Sequence, residues 1–147
     1  MMRRGRKVMM PPPPERSKLM AKVRQRGTAP ELTVRGLLDD LGQDYSTNGT
    51  ALPGSPDVYD ARTKRAVFVH GCYWHRHAGC RATTTPTANR SFWLTKFKQN
   101  VARDKHSAGL LRRMGYRVMT VWECQLKSPA KRARVKGRLK RFFRGEA

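Results

Sequence analysis

The chain has 147 residues, with 32 Lys and Arg against 10 Asp and Glu, a formal net charge of +22. That length suits one compact domain with a real core. The charge points to a polyanionic partner, because neutralised phosphates release counterions. The lack of any long apolar or amphipathic run argues against a membrane role.

Residues 1–14 begin with Arg3, Arg4, Arg6 and Lys7 and continue into Pro11–Pro14, which predicts a disordered basic, Pro-rich arm. They show no apolar h-region or cleavage site. Residues 15–147 are expected to form a single domain. Glu15–Arg26 has helical composition, and Gly27 can end it. Thr28-Ala29-Pro30-Glu31 matches a capping box with Pro in the first turn. Leu32, Leu37, Leu38 and Leu41 then support a second helix to about Gly42. Leu52–Pro56 is turn chemistry between a weak strand near Asp44–Thr47 and a short strand at Asp57–Asp60. Arg65–His70 is a buried-strand run, and the two strands predict a hairpin through Ala61–Lys64. A loop over 71–90 follows. Ser91 is the expected N-cap of a long helix to Met114, with Trp93, Phe97, Val101, Ala108 and Leu111 at helical spacing and Gly115 as the stop. Tyr116–Trp122 predicts another buried strand. Ser128-Pro129 opens a last basic helix to about Phe143. The order α-α-β-β-β-α-β-α implies an α/β domain, a central mixed sheet flanked by helices.

The loop after Arg65–His70 concentrates the chemistry. Cys72, Cys80 and Cys124 are an odd set, and the expected compartment is reducing and intracellular, where metal ligation outranks disulfides. Four residues separate Cys72 from His77, two separate His77 from Cys80, and 43 separate Cys80 from Cys124. Thiolate and imidazole are preferred zinc ligands, and four of them make a closed structural site that cannot activate water. The competing account is buried free thiols. Tyr73, Trp74, His75 and Arg76 lie between the ligands. Two aromatics beside a cation suit stacking on bases or wedging between them; Trp74 could equally pack beneath the zinc loop.

Asp57 can supply carboxylate oxygen to a hard cation such as Mg²⁺, and a backbone carbonyl at the end of the next strand could share the ion. His70 and His75 remain for proton transfer once zinc takes His77. Asp57 also suits a turn. Taken on physics alone, Glu31 is better explained as a cap than as a catalyst.

Several stretches, in order, resemble the very-short-patch repair (Vsr) endonucleases, bacterial enzymes that nick DNA at T:G mismatches. They are Ser17–Met20, Glu31, Leu52–Asp57, Val67–His75, Phe92-Trp93, Lys98–Asp104, Gly115–Val118 and Val121–Cys124. The resemblance implies a restriction-endonuclease-like fold with structural zinc on Cys72, His77, Cys80 and Cys124. It implies Mg²⁺ on Asp57 and the Val69 carbonyl. His75 matches the catalytic histidine, with His70 and Glu31 assisting through water, so that Glu31 regains a catalytic role. Tyr73 and Trp74 match the intercalating aromatics, Met20 matches a residue entering from the opposite groove, and Arg76 is expected at the DNA. Val69 stands where the family often has Thr, and Tyr73 where Phe is common. The implied partner is double-stranded DNA with a mismatch, with mismatch-repair proteins as further partners. The implied setting is a monomer in the bacterial cytoplasm, at the nucleoid. The rivals are a Vsr-like homing or defence endonuclease cutting matched DNA, and a non-catalytic zinc-stapled DNA-binding protein.

Overall fold

The computed structural model describes residues 28–145. The helix expected over Glu15–Arg26, its Met20 and the 1–14 arm lie outside the described residues. The elements are α1 (Ala29–Asp40), β1 (Ser46–Thr47), β2 (Val58–Asp60), β3 (Arg65–His70), α2 (Arg90–Arg113), β4 (Arg117–Trp122), a 3-10 turn (Glu123–Leu126) and α3 (Pro129–Arg144). One sheet runs in the order β1-β2-β3-β4. It is mixed, as expected. β1–β2 and β2–β3 are antiparallel, and β3–β4 is parallel with Arg65 opposite Arg117 and His70 opposite Trp122.

The β2–β3 hairpin turns where the sequence places it. Asp60 accepts from the Arg62 N–H at 3.0 Å and the Thr63 hydroxyl at 2.9 Å, the local bonding for which Asp is favoured in turns. Parallel β3 and β4 cannot be joined by a tight turn; α2 makes the crossover. Side chains alternate across the strands. Val58, Val67, Met119 and Val121 pack on one face with Val34 and Leu38 of α1 and Val135, Leu139 and Phe143 of α3. Ala66 and Phe68 of β3 pack on the other face with Leu111 of α2 and Tyr116. The sheet thus sits between α1/α3 and α2. Among the described residues no helix is long and apolar enough to cross a membrane.

Four local expectations are corrected. The capping box at Thr28 does not form: its hydroxyl bonds no helix N–H and instead donates to Glu31 Oε2 at 3.0 Å. The buried Glu31 carboxylate needs donors, and the hydroxyl that supplies one is turned toward it and away from the helix N–H groups. α2 begins two residues early, at Arg90, with Asn89 rather than Ser91 at the N-cap; Asn89 is left-handed, φ 55°, a conformation Asn tolerates. In α1 the buried positions are Glu31, Val34 and Leu38, while Leu32 is exposed, so the inward stripe is rotated from the leucine pattern. β3 starts where expected, β2 and β4 one residue late and β1 two, so that Asp57 precedes β2, though its N–H still donates to the Val67 carbonyl at 3.1 Å.

Leu139 is fully buried where α3 meets the sheet. Leu139→Ala is expected to cost about 2–5 kcal/mol of stability, measured by urea denaturation; a loss below about 1 kcal/mol would mean that α3 does not complete this core.

Candidate active site

Parallel pairing sets the site. Beyond the last pair, His70 and Trp122, both chains leave the sheet at the same end. Cys72 lies two residues past His70, and Cys124 two past Trp122. The pairing therefore brings together cysteines far apart in sequence. The ligand-type atoms of Cys72, His77, Cys80 and Cys124 all lie within 4.8 Å of one another. His77 Nδ1 is 3.6 Å from Cys72 Sγ and 3.4 Å from Cys124 Sγ. The Cys124 N–H points to Cys72 Sγ at 3.4 Å. The His77 ring stacks on Trp122, centroids 4.2 Å apart and 7° from parallel, which fixes its orientation. Burial pushes the Cys72 thiol up to about 12; a cation at the centre would offset that cost. All three cysteines are unbridged. Three soft sulfurs and one imidazole fit a closed tetrahedral metal centre.

Beside this cluster is an open cleft of about 1010 Å³. Its walls include Glu31 from α1, Asp57 before β2, Val69 and His70 at the end of β3, Tyr73–His77 from the following loop, and Asn100 and Asp104 from α2. Asp57 is held by β3: its Oδ2 accepts from the Val69 N–H at 2.6 Å. Burial raises its carboxyl to about 6, and neighbouring Glu31 adds to the rise. The Val69 bond and the charges of His75 and Arg35 oppose it. A divalent cation would favour the ionised form, and carboxylate oxygen is a suitable ligand for a hard one. Glu31 is 4 % exposed. Its Oε2 takes the Thr28 hydroxyl, and its Oε1 lies 3.8 Å from Arg35 Nη2.

The two free histidines form a stack, centroids 3.8 Å apart and 6° from parallel. Burial lowers His70 to about 4, with His75 pushing the same way and Asp104 opposing, so His70 is neutral at neutral pH. His75 Nδ1 lies 2.7 Å from Asp104 Oδ2. A carboxylate only accepts, so that bond places the ring proton on Nδ1 and leaves Nε2 free to take another. Asp104 is a site residue the sequence reading did not single out. The available signal was composition: it is the only acid in α2, among seven Lys and Arg.

Tyr73 and Trp74 are half-buried and meet edge-on at 4.7 Å. They rest on a pad of Phe92, Trp93 and Phe97 from α2. Asn100 Nδ2 donates to the Trp74 carbonyl at 3.2 Å. Arg76 is occupied internally: its guanidinium lies 4.0 Å from the Phe97 ring centroid and donates to the Tyr73 and Thr84 carbonyls and the Thr85 hydroxyl. The structure therefore gathers Glu31, Asp57, Val69, His70, Tyr73, Trp74, His75 and Arg76 around one cleft, with the candidate metal cluster of Cys72, His77, Cys80 and Cys124 adjoining it through His77. The arrangement pairs a carboxylate able to hold a cation with an imidazole able to take a proton, as phosphodiester hydrolysis requires.

Comparison with known proteins agrees with this chemistry. The family model described as DNA mismatch endonuclease Vsr matches residues 11–81. The chain is 40 % identical over 114 residues to the type II nicking enzyme V.XorIIP of Xanthomonas oryzae, covering 78 % of this chain and 83 % of that protein. It is 37 % identical over 116 residues to the DNA mismatch endonuclease Vsr of Escherichia coli, covering 79 % and 74 %. In fold it is similar to the catalytic domain of the homing endonuclease I-Bth0305I, with TM-score 0.56 and 24 % identity over 81 % of this chain and 97 % of that one.

The Asp57 shift gives a signed pH prediction. A carboxyl raised on folding contributes stability below about pH 4, and that contribution is lost as pH rises through about 6. Without added Mg²⁺, Asp57→Asn is expected to match the parent near pH 4. At pH 7 it should exceed the parent's stability by on the order of 3 kcal/mol. Chemical denaturation at the two pH values measures this; equal stability at both would refute the buried-carboxylate assignment.

Proposed function

The chain belongs to the Vsr family of DNA endonucleases, and from that premise we propose that it nicks one strand of duplex DNA at T:G mismatches, in very short patch repair, with Mg²⁺ as catalytic ion and Zn²⁺ as structural ion. The supporting observation is the convergence of Asp57, Glu31, His70 and His75 in one cleft whose outer loop carries Tyr73 and Trp74. Descent from a mismatch endonuclease family supplies the mismatch.

Asp57 and the Val69 carbonyl would hold Mg²⁺, which when bound stabilises negative charge on the scissile phosphate and the leaving oxygen. The remaining work falls to the protein's own groups. His75 Nε2 accepts the proton of the attacking water, and Asp104 steadies the ring and the charge it gains. His70, neutral at working pH, packs flat on His75 and fixes its plane. Glu31, tied on one oxygen by Thr28, orients water with the other. The products are a 5′-phosphate and a 3′-hydroxyl. Cys72, His77, Cys80 and Cys124 would hold Zn²⁺, which when bound cross-links the loop after β3 to the end of β4.

That cross-link gives Tyr73 and Trp74 a rigid base from which to wedge into the stack. Unstacking costs a few kcal/mol per step, and least at a mismatch, which is one source of selectivity. Met20 is assigned to the opposite groove. Arg76 is assigned to the DNA-facing loop, where its internal bonds brace the wedge from behind. The unit of function is residues 15–147 as a monomer with residues 1–14 as a basic arm, working in the bacterial cytoplasm with mismatch-repair proteins.

A nicking assay with T:G and T:A duplexes, with and without Mg²⁺, tests this. Cutting is expected only at T:G and only with Mg²⁺, whereas equal cutting of T:A would favour a homing or defence nuclease. Asp57→Ala should bind mismatched DNA yet lose about 10³-fold or more in nicking rate; cutting at the parent rate would remove Asp57 from the reaction. Cys124→Ser is expected to lose bound zinc and melt at lower temperature, read by metal analysis and thermal unfolding. Unchanged zinc content would exclude the four-ligand site.

A further inference from the structure

We propose that the outer face of α3 is a second, sequence-independent site for duplex DNA, able to hold one duplex segment while the cleft holds another. The proposal needs only that the chain acts on DNA and is independent of the mismatch preference.

α3 carries eight Lys and Arg in 16 residues and no acid. Its inward strip, Val135, Leu139 and Phe143, recurs every four residues and packs against the sheet. Three of the cations are used inside the protein. Arg132 Nη1 donates to the Leu126 carbonyl at 3.0 Å, Arg138 Nη1 to Gln125 Oε1 at 3.4 Å, and Lys136 Nζ lies 3.8 Å from Asp40. The other five, Lys131, Arg134, Lys140, Arg141 and Arg144, are exposed. Among the described residues they have no ion-pair or side-chain hydrogen-bond partner. At helical spacing Arg134, Lys140, Arg141 and Arg144 fall on the side opposite the apolar strip. Ala130, Ala133 and Gly137 share that side and leave it low in bulk. The result is a cationic rod whose charges run over about 15 Å of the helix axis.

Two features separate this face from an ordinary solvated one. Its charges repel one another with no acid on the helix to relieve them, and a polyanion offsets that cost by counterion release. Its location is also distinct. α3 lies with α1 on one side of the sheet and α2 lies on the other, and no residue of α3 lines the cleft. The rod therefore lies across the sheet from the α2 wall and outside the lining of the cleft, which is the separation that a second duplex requires. Phosphates positioned along such a rod carry no base readout, so the site takes any duplex.

The test uses the full chain and two short duplexes with different fluorophores, the first saturating and the second added afterwards. The parent is expected to show energy transfer between the duplexes, in complexes whose sedimenting mass contains one protein chain. Second-duplex affinity should fall with salt at a log–log slope of about −3 to −4 for four contacts. The variant R134Q/K140Q/R141Q/R144Q should lose the transfer at the same salt and keep its nicking rate at saturating DNA within about twofold. If that variant unfolds, R134Q/R141Q and K140Q/R144Q are read instead, each lowering the slope by about 2. Absence of transfer in the parent, or its persistence in a folded variant, would overturn the proposal. Loss of nicking at saturating DNA in a folded variant would overturn it too, by making α3 part of the cleft's own DNA contacts.

Discussion

The parallel pairing of β3 with β4 is the constraint on which the rest of the structure depends. It makes two strand ends coincide, and the chain leaves both of them carrying chemistry. His70 and Cys72 come from one end, Trp122 and Cys124 from the other. Functional groups gather at the carboxyl ends of parallel strands because the connections leave there with side chains facing a common crevice. Here the same crossover that makes the pairing possible, α2, also supplies Asp104 to His75 and the aromatic pad to Tyr73 and Trp74. One helix thus closes the topology and forms a wall of the cleft.

The electrostatics follow from that geometry. In a chain of net charge +22 with ten acids, four of them, Glu31, Asp57, Asp104 and Glu123, line the one cleft. The excess of basic charge favours a polyanionic partner, while these acids are gathered in the cleft instead of being spread among the cations. Burial shifts two groups in opposite senses. Asp57 is raised to about 6 and His70 lowered to about 4, because desolvation disfavours whichever form is charged. Two imidazoles in contact cannot both be readily protonated, so the buried ring stays neutral while its partner has a carboxylate behind it.

The loop after β3 is tied to itself and to α2 by one arginine. Arg76 takes a left-handed backbone conformation, φ 56°, and its guanidinium spans the loop from the Tyr73 carbonyl to Thr84 and Thr85 while lying over Phe97. An arginine fork suits this role because its planar array of donors can satisfy several carbonyls and still stack on a ring. These ties, with the aromatic pad beneath, hold Tyr73 and Trp74 in place.

The sequence by itself determined the strands, the order of the main elements among the described residues, and the four residues that gather as a candidate soft-metal site. The hairpin at Ala61–Lys64, the β3 run Arg65–His70 and the stop at Gly115 are written in local periodicity and turn chemistry, which act over a few residues. The set of Cys72, His77, Cys80 and Cys124 is written in composition. Only the tertiary structure decided which polar groups meet. Thr28 and Glu31 read as a cap, yet the hydroxyl turns to the carboxylate once the side chain is buried. Asp104 reads as one acid on a basic helix until the crossover sets it 2.7 Å from His75. Arg76 reads as a free cation until Phe97 arrives beneath it. Such partners lie up to 29 residues apart along the chain, beyond the reach of any local pattern, and burial fixes their charge states only after the core has formed.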